Sequence, residues 1–228
     1  MARHRKVSWL IPAGLLTLCV IPMLAGVLRL IQLAGGPEQI PADDRFASFP
    51  LPLILHIVAA CIYLILGAFQ FVPRFRRNHP GWHHIAGRVL AAAGLIVAGS
   101  AIWMTLFYAM KPGTGTLLYV LRLVFGLAMA VCIILGVTTV RRGDVGAHRA
   151  WMIRAYAIGI AAGTQAFTGG IGGALIGTST LGRDLAMSSA WVINLAVAQW
   201  VILHPLGPAP SRRSDDSAEL TVHSGARS

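Results

Sequence analysis

Ionisable and amide side chains interrupt several long apolar stretches of this 228-residue chain. In one stretch His56, Tyr63 and Gln70 recur every seven residues, which places them on one face of a helix. In a later stretch Arg154 and Gln165 lie eleven residues apart and also share a face. An ionisable group inside a lipid bilayer usually faces a partner or a cavity, so these positions are candidate functional sites.

We predict a polar cavity from residues at matching depth in different stretches. Arg122 lies about one and a half helical turns into its stretch, near the depth expected for His56. With Tyr63 and Gln165, these residues could form a polar site open to the non-cytoplasmic side. Snorkelling of Arg122 and a structural hydrogen bond from His56 would explain the same pattern equally well.

A second set of polar residues lies mainly near the opposite ends of the apolar stretches. Neutral imidazoles on facing helices are common ligands of b-type haem, and arginines can bind its propionates. His83 or His84 with His148 is the pair to test, and no other metal site is predicted. Lipid headgroup contact is the competing explanation. The candidate cofactor-binding residues are His56, Gln70, His83, His84, Arg88, His148, Arg149, Met152 and Arg154.

Six apolar stretches must position these side chains. The chain is 56% hydrophobic and 12% charged, and a bilayer core requires about 20 apolar residues per helix. We therefore predict an all-α integral membrane protein whose residues 8–206 form one transmembrane domain. Spans two to five should form a four-helix core, with span one peripheral and span six packed through Asn194 and Gln199. The predicted spans are 8–31, 51–72, 85–108, 117–140, 150–176 and 185–204.

The net charge of +11 follows membrane topology rather than nucleic-acid binding. Basic residues cluster at the N-terminus (1–7), in the second and fourth loops and in the tail, which predicts that both termini are cytoplasmic. Residues 207–228 lack apolar periodicity and are expected to be a disordered cytoplasmic tail. We expect a multi-pass protein of a bacterial inner membrane.

The fifth predicted span is unusually rich in glycine. Gly169, Gly170, Gly172 and Gly173 predict a kink or break there, while the four-residue spacing of other glycines favours close helix packing. No carboxylate falls within any predicted span, which disfavours a proton-coupled transporter. Zinc-hydrolase, P-loop and serine-hydrolase motifs are absent, so an enzyme is disfavoured.

Three stretches resemble the bacterial membrane family catalogued as domain of unknown function 2306. They are LHIVAACIYLILGAFQF at 55–71, HPGWHHIAGRV at 79–89 and HRAWMIRAYAIG at 148–159. In the second stretch the family has arginine after the first histidine of its motif, where this chain has His84. The resemblance implies a multi-helix membrane fold but no activity. Its characteristic polar set corresponds to His56, Gly67, Gln70, His83, Gly87, Arg88, His148, Arg149, Met152 and Arg154.

Three hypotheses for function remain open. The first is a redox protein that binds b-type haem or quinone in the helical bundle. The second is a non-catalytic scaffold or assembly factor that contacts other membrane proteins or further copies of itself. The third is a carrier or receptor for a small anion or lipid, with arginines as charge partners.

Overall fold

The computed structural model describes residues 2–72, 79–175 and 179–204. These residues form seven α-helices and one short 3-10 helix, with no strand among them. The predicted tail at 207–228 and the arginines of the second loop lie outside the described residues. The helices are α1 (Ala2–Leu33), α2 (Leu51–Gln70), α3 (Pro80–Phe107), α4 (Thr116–Arg141), α5 (Val145–Gly159), α6 (Ala161–Leu175) and α7 (Thr180–Leu203), and the 3-10 helix is Asp44–Phe46.

Five of these helices are long and apolar enough to cross a membrane, which confirms the predicted helical membrane fold. They include α1, from Leu10 to Leu33, together with α2, α3, α4 and α7. Prolines at the first turns of α2 and α3 suit helix starts, where a backbone N–H has no intrahelical partner. The remaining predicted span is divided into α5 and α6, of 15 residues each.

Helices α5 and α6 together follow the length of α7 in antiparallel fashion. Arg154 of α5 donates to the Oε1 atom of Gln199 at 2.9 Å, and the amide of Asn194 donates to the carbonyl of Ala157 at 3.1 Å. Further along, Gln165 of α6 donates to the carbonyl of Met187 at 3.2 Å. The pair therefore occupies the place of one span, and α7 packs through Asn194 and Gln199 as expected.

The interruption between α5 and α6 is at Ile160, not at the later glycines. The prediction of a break at Gly169–Gly173 is wrong, because α6 continues through all four glycines. Small residues fit there because Gly172 lies against Ala186 of α7, which leaves no room for a side chain. The four glycines therefore belong to one continuous helix, which packs closely against α7 at Gly172.

Tyr63 fills the centre of the four-helix core and sets how closely the helices approach. It is fully buried, and a β-carbon added at Gly94 of α3 or Gly159 of α5 would meet its ring at about 2.7–2.8 Å. Ile133 of α4 packs in the same cluster. Helices α2, α3, α4 and α5 thus surround one aromatic side chain, with α3 and α5 at diagonal positions.

The bundle has two ends, which we name by their residues. The loop-1 end comprises residues 34–50, residues 108–115 and the first turn of α7. The basic end comprises the last turns of α2, α4 and α7 with the first turns of α3 and α5. Helix α1 packs on α2 and α6, where the carbonyl of Leu18 lies so close to Gly163 that a β-carbon would approach within 2.5 Å.

Candidate functional site

A cavity of about 390 Å³ opens at the loop-1 end and extends between the helices. Its wall is mostly apolar and includes Ile57, Met104 and Trp191. The sequence-predicted residues His56, Arg122 and Gln165 also line it, so three positions on different helices meet at one cavity. Tyr63, the fourth predicted member, is not part of the wall because its ring fills the bundle centre.

Arg122 is a positively charged residue of the cavity wall, and Asp184 attracts it only through space, without a hydrogen bond. Its guanidinium makes no hydrogen bond and no ion pair with any residue that the structure describes. The side chain is part-buried, so it is only partly hydrated. A guanidinium in such surroundings is a strong donor for an anionic or carbonyl oxygen.

Asp184, the nearby carboxylate of α7, binds backbone rather than Arg122. It is 2% exposed and accepts hydrogen bonds from the N–H groups of Gly115 at 2.9 Å and Leu118 at 3.1 Å. These groups begin α4, whose N-terminal dipole also favours a negative charge. The expectation that no carboxylate lies within a span is wrong, because α7 begins at Thr180 rather than near residue 185.

Arg45, the other arginine of the cavity wall, is already paired within its own loop. Its Nε and Nη2 atoms donate to the two carboxylate oxygens of Asp43 at 2.7 and 2.6 Å. The hydrogen bond from Arg45 holds the pKa of Asp43 below its usual value. Arg45 therefore brings little net charge to the cavity, in contrast to Arg122.

His56 and Gln165 each retain polar atoms after their contacts with neighbouring helices are counted. The Nδ1 atom of His56 lies 3.0 Å from the Ser100 hydroxyl of α3, and Gln165 donates to the carbonyl of Met187 at 3.2 Å. No described residue bonds the Nε2 atom of His56 or the Oε1 atom of Gln165. The cavity thus combines an apolar wall with a few convergent polar atoms, as ligand pockets do.

The predicted residues of α2 and α3 at the basic end form one local group. His83 contacts the Oε1 atom of Gln70 through Nδ1, which joins the end of α2 to the start of α3. The His84 ring lies 6.0 Å from that of His83 and is exposed, as is Arg88. This group ties one hairpin together.

The predicted residues of α5 form a second, separate group at the same end. His148 donates from Nδ1 to the carbonyl of Gly136 at 2.7 Å, and Met152 packs against the same glycine. Arg154 donates to Gln199 and stacks over the Trp151 ring at 5.0 Å. Arg149 is half-buried beside them.

The described contacts do not bring His83 and His148 together. They lie on α3 and α5, which are not adjacent in the four-helix core. Between α2 and α5, Tyr156 contacts Tyr63 and Phe71 and donates to the carbonyl of Leu64 at 2.9 Å. The hydrogen bonds described above join His83 to α2 and His148 to α4.

Three residues that matter to the cavity were missed from the sequence. Asp184 and Arg45 fall between the predicted spans, and Ser100 is a single hydroxyl inside the third predicted span. A buried aspartate next to an apolar run was the one available signal, since charged residues are seldom buried without a partner. The pairings of Asp184 and Ser100 join positions 41 to 69 residues apart and have no local pattern, whereas Arg45 pairs with Asp43 two residues away.

Comparison with known proteins supports the membrane assignment and adds no activity. The family model described as "Predicted membrane protein (DUF2306)" matches residues 53–202, and the chain belongs to that family. The matched region begins in α2 and ends in α7, so it includes the predicted residues of both ends. No curated protein and no solved structure matches the chain.

Proposed function

We propose that this member of the family binds a small amphipathic acid in the cavity at the loop-1 end, with Arg122 as the charge partner. The observation that carries the proposal is the Arg122 guanidinium, which faces an apolar-walled cavity without a protein carboxylate bonded to it. Ionisable residues within membrane spans usually mark ligand or ion sites. A carboxylate would match the fork of N–H donors that the guanidinium offers.

The neighbouring charges support an anion rather than a cation as the ligand. Asp184 is compensated by the start of α4, and Asp43 is compensated by Arg45. Neither carboxylate bonds Arg122, although Asp184 attracts it electrostatically through space. The charged residues of the cavity wall itself are Arg45 and Arg122, and this favours a negatively charged head group.

The size and lining of the cavity support a ligand with an apolar body. A volume of about 390 Å³ lies in the range of small-molecule sites, which is roughly 300–1,000 Å³. Residues such as Leu53, Phe125 and Met129 provide apolar contact. A bare inorganic anion would leave this surface unused, whereas a medium-chain fatty acid would cover it.

Equilibrium binding of tritiated octanoate to the full-length protein in nanodiscs tests the proposal, with empty nanodiscs correcting for partition into lipid. Arg122→Gln should weaken binding about 100-fold, since removing one partner of a desolvated charge pair costs about 2–5 kcal/mol. Arg142→Gln is the matched control, because Arg142 is exposed at the other end of the same helix. Its affinity should equal that of the wild type. Equal octanoate affinity in all three proteins would overturn the proposal.

Haem binding at the basic end is a second candidate, favoured by the orientation of one ring. His148 donates from Nδ1 to a backbone carbonyl, an arrangement that leaves Nε2 as the potential metal ligand. An optical spectrum of protein expressed with haem precursor tests it. A Soret band that shifts on reduction and disappears in His148→Ala would support haem. A featureless spectrum would leave the cavity as the functional site.

A further inference from the structure

The hydrogen bonds around His56 determine which of its ring nitrogens carries the proton. Nδ1 lies 3.0 Å from the Ser100 hydroxyl and 3.2 Å from the carbonyl of Val97. The Ser100 hydroxyl has one hydrogen, which it directs to helix carbonyls, with the carbonyl of Ile96 nearest at 2.6 Å. Both neighbours of Nδ1 therefore accept, so Nδ1 carries a proton.

The neutral ring then presents Nε2 as a hydrogen-bond acceptor at the cavity. No described residue donates to Nε2, although His56 is part of the cavity wall. The wall therefore offers two unmatched elements of opposite kind, an acceptor on His56 and a set of donors on Arg122. A plain carboxylate can accept from Arg122 but has no hydrogen to donate to Nε2 of His56.

The hydroxyl groups near the cavity do not supply the missing donor. Thr105 donates to the carbonyl of Ala101 at 2.7 Å, one turn back in its own helix. Tyr108 donates to the carbonyl of Phe49 across the loop-1 end. Thr114 likewise donates to the carbonyl of Lys111 at 2.7 Å, and Tyr119, the remaining hydroxyl residue of the wall, makes no hydrogen bond to His56. Nε2 of His56 is therefore open to a donor from a ligand or from water.

From this pairing we infer that the preferred ligand is a hydroxy acid, with an anionic oxygen for Arg122 and a hydroxyl that donates to Nε2 of His56. The inference rests on the proposed function and narrows its ligand class. An unpaired buried acceptor lowers affinity for ligands that lack the donor, while a matched hydroxyl contributes one further hydrogen bond. The hydroxyl is thus the specificity element, and the acid group supplies the charge.

Two probes that differ by one hydroxyl test the inference in nanodiscs: octanoate and 2-hydroxyoctanoate. The wild type should bind 2-hydroxyoctanoate about tenfold more tightly, the contribution of about one hydrogen bond. His56→Asn should abolish this preference, read as the ratio of the two affinities within the variant, because the Asn amide can still donate toward Ser100 but has no group at the Nε2 position. His56→Gln should restore part of the preference, because its side-chain oxygen can reach that position as an acceptor.

The outcomes separate this inference from the proposed function. Equal affinity of the wild type for the two probes would overturn the inference while octanoate binding still supports the proposed function. A hydroxyl preference that persists in His56→Asn would also overturn it, since another group would then be the acceptor. Failure of the wild type to bind either octanoate or 2-hydroxyoctanoate would overturn both the inference and the proposed function.

Discussion

The loop-1 end and the basic end use the same kinds of side chain in opposite ways. At the basic end His148 bonds Gly136 and Arg154 bonds Gln199, so the polar atoms join helices. At the loop-1 end Arg122 faces a cavity without a bonded partner, and His56 directs one nitrogen to α3 and leaves the other unmatched. Polar residue type alone therefore does not distinguish side chains that join helices from side chains that face a cavity, and even at the basic end Gln70 keeps a buried Nε2 atom without a hydrogen bond to a described residue.

The largest difference in stability between the two ends is expected at two aspartates, each of which caps the start of a helix. Asp184 is buried and caps α4 from another helix, whereas Asp144 is exposed and accepts from Ala147 at 2.8 Å in its own helix. Asp184→Ala should lower the free energy of unfolding by about 3 kcal/mol, because two buried N–H groups lose a charged partner. Asp144→Ala should lower it by about 1 kcal/mol, the usual loss for an exposed cap.

Reversible SDS titration in mixed micelles measures both changes. A destabilisation of Asp184→Ala no larger than that of Asp144→Ala would mean that the loop-1 end does not depend on this buried carboxylate. The assignment of Asp184 as the compensated charge beside the cavity would then be wrong.

Arg154 and Arg122 give the next largest contrast, which is in the free energy of unfolding rather than in ligand affinity. Arg154→Gln should lower the free energy of unfolding by about 1 kcal/mol, because a hydrogen bond and the contact with Trp151 are lost. Arg122→Gln should leave stability unchanged or raise it, since it removes a part-buried charge that has no bonded partner. The same SDS titration applies. Clear destabilisation by Arg122→Gln would indicate a structural role and weaken the binding proposal.

The smallest expected effect concerns the charge balance of the cavity rim. Asp43→Asn should release Arg45 from its ion pair and raise octanoate affinity about threefold, a change of less than 1 kcal/mol as expected for a partly exposed pair. Asp44→Asn is the control, because Asp44 forms no ion pair with a described residue. An unchanged or lower affinity in Asp43→Asn would show that Arg45 does not contribute to anion binding.

Lowering the pH tests the ion pair between Arg45 and Asp43 by protonation. Because Arg45 lowers the pKa of Asp43, the folded state keeps this carboxylate ionised at pH values where the unfolded chain begins to protonate. The stability that the ion pair contributes is present above the ordinary Asp pKa and is lost as the pH falls through the lowered value. Asp43→Asn should remove this part of the acid dependence in the SDS titration.

The sequence by itself determined the fold class, a helical membrane protein, and predicted which polar residues share a depth. Runs of about 20 apolar residues require helices because backbone groups must bond internally in lipid. Counting turns from the ends of those runs was enough to group His56, Arg122 and Gln165 at one depth, and all three line one cavity. Asn194 and Gln199 also contact α5, in agreement with the prediction that the last span packs through them.

Tertiary structure alone decided which polar groups pair and which do not. Depth follows from position along a helix, but partners depend on how each helix is rotated about its axis, and that rotation follows from packing around residues such as Tyr63. Packing joined His83 to Gln70, joined His148 to Gly136 and turned Asp184 toward the start of α4. Arg122 was thereby left to face the cavity, because the nearest carboxylates were already bonded to groups far away in the sequence or in their own loop.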